Sequence, residues 1–323
     1  MVRVLVTGLG VLAVGVAVVG LVARYVPIRN DGLLVVATAS PYLMAAGPVG
    51  MILLGLGRQW VLTVLAACLC VVMVGIQLPR YVGPETSGLP AASFRVMSAN
   101  LALGRADPPA VVALARDSAD VLVVQEMTPQ SANGLSAAGL DGTFPHRVID
   151  PRGRAAGIGI WSRYPIGESG SISGYAMPML RARIRVPGVV TNPTVVAVHL
   201  AAPWAQPIEY WQQDMARLPS TLHELARDAG AGAVIVAGDL NATFDMMPFR
   251  RLLSDGYRDA AEQAGAGLTR SYPNRRWRPP LLGIDHVLVH NCVATSARTA
   301  VVRESDHRGL LVTVDVPLDP TAS

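Results

Sequence analysis

The distribution of apolar residues constrains this chain more than any other feature. Within residues 1–79, three stretches at about 4–23, 32–56 and 60–78 are each long and apolar enough to cross a bilayer, whose hydrocarbon core takes roughly 20 residues of helix. They carry most of a mean hydropathy of +0.38 and a hydrophobic content of 51%, too apolar for an ordinary soluble domain. A secretory leader is the competing reading of the first stretch. Its apolar run exceeds a usual leader core, "VGLVARY" offers no clean small-residue cleavage site, and two more stretches follow. Pro41 and Pro48 predict a kink in the second span, which neighbouring membrane helices can accommodate. The sequence thus predicts three transmembrane helices and a multi-pass protein of the cytoplasmic membrane.

Charge does not orient these spans, because Arg3 and Arg58 on one side nearly balance Arg24, Arg29 and Arg80 on the other. Three spans would place the N-terminus and the large C-terminal region on opposite faces. Cys68 and Cys70 lie in the third stretch and Cys292 stands alone, so no disulfide framework is implied. Every basic residue is Arg, and the net charge of +4 is modest. It demands no nucleic-acid partner and also suits anionic lipid headgroups.

Residues 80–92 read as a polar linker with Gly and Pro, 93–318 as a soluble α/β or α+β domain, and 319–323 as a tail. Strands are predicted over 94–101, 120–126, 157–162, 180–186, 194–200, 233–240, 284–290 and 309–316. Asp107, Pro108 and Pro109 predict a helix start, and residues 208–229 carry helical periodicity with Pro219 as a possible kink.

Nearly every predicted core strand ends or begins in a polar group: Asn100, Glu126, His199, Asp239 with Asn241, Asp285 with His286, and Asp306 with His307. Singly, each has a bland reading as a cap or turn former. Strand ends at one sheet edge converge, however, so together they predict one polar pocket. Asp239 and Asn241, two apart on a strand, share a face. There they would orient a water, hold a phosphoryl oxygen or cap a turn. Carboxylates with an amide and no thiolate form a hard, oxygen-rich set suited to Mg²⁺ or Mn²⁺. No Walker-type loop, Gly-x-Ser-x-Gly elbow or candidate nucleophilic Cys is present. The remaining fit is metal-assisted attack of water on a phosphate ester or anhydride.

The ordered set "SAN" ending at 100, "QE" at 126, "WSRYP" at 161–165, "HL" at 199, "GDLN" at 238–241, "IDH" at 284–286 and "SDH" at 305–307 resembles the endonuclease/exonuclease/phosphatase superfamily across the whole soluble region. The resemblance implies a four-layer α/β sandwich with two mixed sheets face to face. It implies that Glu126 is the principal metal ligand with Asn100 beside it, that Asp239 orients the attacking water, and that Asn241 holds a phosphate oxygen. Asp285 would polarise His307 at the scissile phosphate, Asp306 would sit on the metal side, and His199 would supply a second imidazole. Ala102 stands where the abasic-site nuclease branch often has an acid, which argues against that role and against a two-metal description. His286, next to Asp285, should point away from it and be structural.

Within the superfamily, three N-terminal spans and the segments "GDLNATFDMMPFRRLL" and "PPLLGIDHVLV" resemble the membrane-anchored teicoplanin-resistance proteins of the VanJ type. That likeness implies an extracytoplasmic catalytic domain acting on lipid-linked envelope precursors such as a polyprenyl pyrophosphate, and hence a link to glycopeptide resistance. The insertion "NRRWRPP" places Arg275, Arg276 and Arg278 around Trp277, a combination suited to a phosphate headgroup at an interface. Trp204, Tyr210 and Trp211 follow His199 as further candidates. The alternatives are a membrane-tethered endonuclease or phosphodiesterase, DNase-like or sphingomyelinase-like, with nucleic acid as partner, and a non-catalytic binding module. The residues do not specify an oligomeric state.

Overall fold

The computed structural model describes residues 1–83 and 88–321; residues 84–87 of the expected linker and the last two of the tail lie outside the described residues. The chain forms two compact units. One comprises Met1–Pro79 and Thr243–Arg251, the other Arg80–Ala242 and Leu252–Ser323.

In the helical unit, Val2–Ala23 and Trp60–Tyr81 are each 22 residues long and apolar enough to span a bilayer. Between them, Asp31–Thr38 and Ser40–Leu56 meet at a bend of 57°. The expected second span is therefore a bent pair, one broken span or a re-entrant loop, so two spanning helices are clear and a third is not. Parity makes this consequential, because a re-entrant pair would return the chain to the side it started from. The bend precedes Pro41, and Asn30 caps the entering helix by accepting the Leu33 N–H. The first helix and the bent pair pack through small residues: a Cβ on Gly20 of the first helix would lie 2.7 Å from Leu43 Cβ, and one on Gly50 of the bent pair 2.7 Å from Val14 Cγ2. Thr243–Arg251 joins these helices through polar contacts. Arg24 pairs with Asp245, Gln77 donates to the same carboxylate at 2.9 Å, and Arg250 lies 5.1 Å from the centre of the Tyr25 ring.

The second unit is an α/β fold with two six-stranded sheets. We number its strands β1 (Ala91–Asn100), β2 (Val121–Gln125), β3 (His146–Asp150), β4 (Ile158–Ser162), β5 (Ile166–Ile172), β6 (Met179–Ile184), β7 (Thr194–His199), β8 (Val234–Asp239), β9 (Arg258–Asp259), β10 (Asp285–His290), β11 (Val293–Val301) and β12 (Arg308–Pro317). The sheets run β11-β12-β1-β2-β4-β3 and β5-β6-β7-β8-β10-β9. Alternation sends one set of side chains between them: Phe94, Val96, Val121 and Ile160 from the first sheet pack with Ala182, Val195, Ile235 and Val287 from the second. The opposite face of the first sheet, including Met97, Ala99 and Leu122, packs on Val111 and Leu135 of helices Pro108–Ser118 and Pro129–Ala137. Pro residues open both helices. Thr128 caps the second, while Asp107 occupies the cap position of the first without a side-chain hydrogen bond. Helix Ile208–Ala229 is unbroken at Pro219.

All eight expected strands occupy interior positions, and β3, β5, β9 and β11, which the periodicity did not reveal, are the four sheet edges. Before β1, the Arg80 carbonyl accepts the Gly267 N–H at 2.7 Å, tying the start of the expected linker into the second unit.

Candidate active site

Strand register brings the polar residues together. Parallel pairing of β1 with β2 sets Asn100 opposite Gln125, so Glu126 emerges one residue beyond. Parallel pairing of β7 with β8 aligns His199 with Asp239, and antiparallel pairing of β10 with β8 sets Asp285 opposite the same Asp239. Asp239 is therefore flanked on both sides within its sheet.

The bonds follow from that placement. The Asn100 amide donates to Glu126 Oε1 and to Asp239 Oδ2, each at 3.1 Å, bridging the acids of the two sheets. Glu126 Oε2 also accepts the Leu103 N–H at 2.6 Å. Asp239 Oδ1 accepts the Asn241 N–H at 2.9 Å, and Asn241 donates its amide to the Leu200 carbonyl at 3.0 Å. His199 Nδ1 lies 3.1 Å from the Ala155 carbonyl, and its Nε2 is 3.9 Å from both Glu126 and Asp239. His307 Nδ1 sits 2.9 Å from Asp285 Oδ2, with Nε2 3.7 Å from Asp239 Oδ2. Glu126 and Asn241 both hold left-handed backbone, at φ 55° and 48°, a cost of order 1–3 kcal/mol each that persists where the surroundings enforce it.

The electrostatics separate the two central groups. Burial and the neighbouring Asp285 push the Asp239 carboxyl up to about 6, against the opposing pull of His307 and His199. Burial disfavours charge on His307, but Asp285 and Asp239 outweigh it and raise the ring to about 10. At neutral pH this pairs a carboxylate able to take a proton with an imidazolium able to donate one.

Residues 97–307 match the sequence profile of the endonuclease/exonuclease/phosphatase family. The chain belongs to this family. Members of the endonuclease/exonuclease/phosphatase family are metal-dependent phosphoesterases and nucleases, and the protein is an enzyme of that kind. Solved structures share the fold. Zebrafish (D. rerio) TDP2, humanized by 14 mutations, is 19% identical with a TM-score of 0.57, covering 69% of this chain and 98% of its own. An endonuclease/exonuclease/phosphatase from Bacteroides vulgatus is 16% identical with a TM-score of 0.56, covering 70% and 99%. The mannosyl-6-phosphatase Bt3783 of Bacteroides thetaiotaomicron is 16% identical with a TM-score of 0.53, covering 68% and 99%. No curated protein sequence matches the chain.

The family's divalent ion fits the donors present. Glu126 and Asp239 offer carboxylate oxygens to one shared amide, and among the described residues the buried His199 Nε2 has no hydrogen-bond partner, a set suited to a divalent cation. Among the described residues, Asp239, Asp285 and His307 are the group that brings ligand atoms within 4.8 Å of one another. The 2.9 Å hydrogen bond and the raised value of His307 fit that trio better as a proton-holding relay than as a cage. Asp306 lies outside that trio. Its carboxylate lies 4.0 Å from Arg105, and its carbonyl accepts the Asn274 N–H at 2.6 Å.

The expected substrate residues divide. Arg275 and Arg276 line a cavity with Asp306, whereas Trp277 is 85% exposed at a tight turn closed by Arg278 N–H to the Arg275 carbonyl at 3.2 Å. Trp211 is buried and donates to the Leu240 carbonyl at 3.2 Å, steadying the GDLN segment, while Trp204 and Tyr210 are exposed. His286 bonds Asp259 at 2.8 Å and the Ala242 carbonyl at 2.9 Å, as a strut.

Sequence reasoning missed the groups that hold the loop before β12. The Ser305 hydroxyl donates to the Asn100 carbonyl at 2.7 Å and accepts the His307 N–H at 3.0 Å. The Asn274 amide donates to the Val302 and Ser305 carbonyls at 2.9 and 3.0 Å. Ser305 inside "SDH" was the one available signal.

Proposed function

We propose that this enzyme is a membrane-anchored, divalent-metal-dependent phosphohydrolase acting on a lipid-linked phosphate, with a polyprenyl pyrophosphate as the type substrate. The observation that carries this reading is the join, in one chain, of bilayer-length apolar helices to a buried Asp239 flanked by His307, His199 and Asn100. Holding the site near a bilayer raises the effective concentration of an amphiphilic substrate. The exposed Trp277, with the Arg276 guanidinium 5.2 Å from its ring centre, suits contact with the lipid interface.

In this reading Glu126, supported by Asn100, holds Mg²⁺ or Mn²⁺, with Asp306 as a further candidate ligand. The ion, when bound, supplies neutralisation of phosphate charge. Asp239 orients a water and takes its proton as the water oxygen bonds to the terminal phosphorus. The bond from that phosphorus to the bridging oxygen breaks, and polyprenyl phosphate leaves. His307, held charged by Asp285, donates to a phosphoryl oxygen, and Asn241 and His199 steady the others. The likeness to VanJ-type proteins supports the finer points: a four-layer sandwich, a catalytic domain outside the cytoplasmic membrane, and an envelope precursor as substrate.

The test is Mg²⁺-dependent phosphate release from a polyprenyl pyrophosphate in detergent micelles. Release by wild type and none by His307→Ala is expected. No release from folded, metal-loaded wild type would remove that substrate. A membrane-tethered nuclease or phosphodiesterase is the second reading. It draws on the fold shared with zebrafish TDP2, solved with a single-strand DNA product at 19% identity and a TM-score of 0.55. Salt-sensitive DNA binding with cleavage would favour it.

A further inference from the structure

Beside the site lies a cavity of about 620 Å³ whose wall is dominated by guanidinium groups: Arg105, Arg275, Arg276, Arg303 and Arg308. They come from separate segments that tertiary folding brings together: the loop after β1, the 274–276 loop, and the β11–β12 connection continuing into β12. Two acids, Glu304 and Asp306, share the wall, leaving an excess of three positive charges. Among the described residues, the Arg105 to Asp306 contact, at 4.0 Å, is the one ion pair that offsets this. Among the described residues, Arg275, Arg276, Arg303 and Arg308 form no ion pair, and the buried Nε of Arg308 has no hydrogen-bond partner. Unpaired like charges gathered in a concavity repel one another, an arrangement that a bound anion relieves.

The cavity's position gives it meaning. Asp306 and Arg308 both line it, and His307 between them faces Asp239. Asn274 lines it too and donates to the Val302 and Ser305 carbonyls, so one residue shapes the cavity wall and holds the loop that carries His307. The volume falls within the range of roughly 300–1,000 Å³ for small-ligand sites, far more than one phosphate occupies.

We propose that this arginine-lined cavity is a subsite for a second phosphoryl group of the substrate, next to the one attacked. The proposal rests on the phosphohydrolase reading above and narrows its substrate class to compounds carrying at least two phosphoryl groups. Planar guanidinium forks grip phosphoryl oxygens in pairs, so several forks on one cavity favour a diphosphate over a single phosphate. A lipid diphosphate and free pyrophosphate share this chemistry.

The test uses the full chain in detergent with a chelator present, so that binding does not depend on a metal ion. Inorganic pyrophosphate, orthophosphate and farnesyl diphosphate are titrated against wild type and an Arg276→Ser/Arg303→Ser variant. Both substituted arginines are exposed, so the fold should survive. Pyrophosphate is expected to bind wild type at least about tenfold tighter than orthophosphate, with that preference lost in the arginine variant. Tighter binding of farnesyl diphosphate than pyrophosphate supports a lipid-borne group, and equal binding supports a free one. An unchanged preference in the arginine variant overturns the subsite. So does displacement of pyrophosphate by single-stranded DNA at lower phosphate concentration, which would make the cavity a nucleic-acid contact. If wild type hydrolyses no phosphate compound but keeps the arginine-dependent preference, the subsite stands and the phosphohydrolase reading falls.

Discussion

His307 and Asp285 form a buried pair, Nδ1 to Oδ2 at 2.9 Å, with the far face of the imidazole turned to Asp239 at 3.7 Å. Asp285 starts its strand directly opposite the end of the strand that carries Asp239. Replacing Asp285 with Asn leaves the shape in place and removes the charge that holds the ring protonated. A fall in kcat of about 10²–10⁴-fold with a smaller change in KM is expected. Steady-state kinetics on the phosphate substrate checks this, and a change confined to KM would contradict it.

The same pair makes stability depend on pH. His307 has a folded value near 10, above the ordinary value of 6.5, so its stabilising contribution is fully present below 6.5 and lost as pH rises through about 10. Metal-free wild type should lose stability across that window, and His307→Gln should flatten the loss. Denaturant midpoints measured from pH 6 to about 10 test it.

Glu126 meets the Asn100 amide and the Leu103 N–H and lies outside the His307 trio. Chelation should abolish activity. Glu126→Gln should raise the Mg²⁺ concentration for half-activation by at least about tenfold. Isothermal titration of the ion provides a readout independent of turnover.

Gly238 tolerates no side chain, because a Cβ there would lie 1.8 Å from the Val198 carbonyl oxygen. Gly238→Ala must push β7 and β8 apart beside the aligned His199 and Asp239. A loss of about 1–3 kcal/mol is expected, with a disproportionate loss of kcat. Thermal melts and kinetics together separate the two.

Asn274→Ala leaves the Val302 and Ser305 carbonyls without their side-chain donor. A cost of about 1–3 kcal/mol is expected. Because the freed loop carries His307, the defect should exceed what the stability change predicts. Activity matching wild type in the folded variant would show that the loop holds itself.

The eight interior strands were legible because strands covered on both sides read as apolar runs. β3, β5, β9 and β11 were not, since edge strands are exposed along one side and carry polar or small residues, as in "IGESGSI" and "VATSARTAV". The apolar length of the second membrane segment was equally plain, and Pro41 and Pro48 announced a kink in it, but the size of the bend, 57°, and with it whether that segment crosses at all, was not legible.

At the site, the sequence by itself determined the chemistry. Acids, an amide and imidazoles at strand ends carry their reactivity with them, and the order of motifs placed the chain in its family. Tertiary structure alone decided the partnerships. Register set Asp285 against Asp239 and His199 beside it, the Arg24–Asp245 pair placed the segment after GDLN with the helical unit, and loops distant in sequence brought five arginines to one cavity. The reason is physical. Residue type fixes what a side chain can donate or accept, whereas its partner is set by pairing across strands and loops that no local pattern encodes.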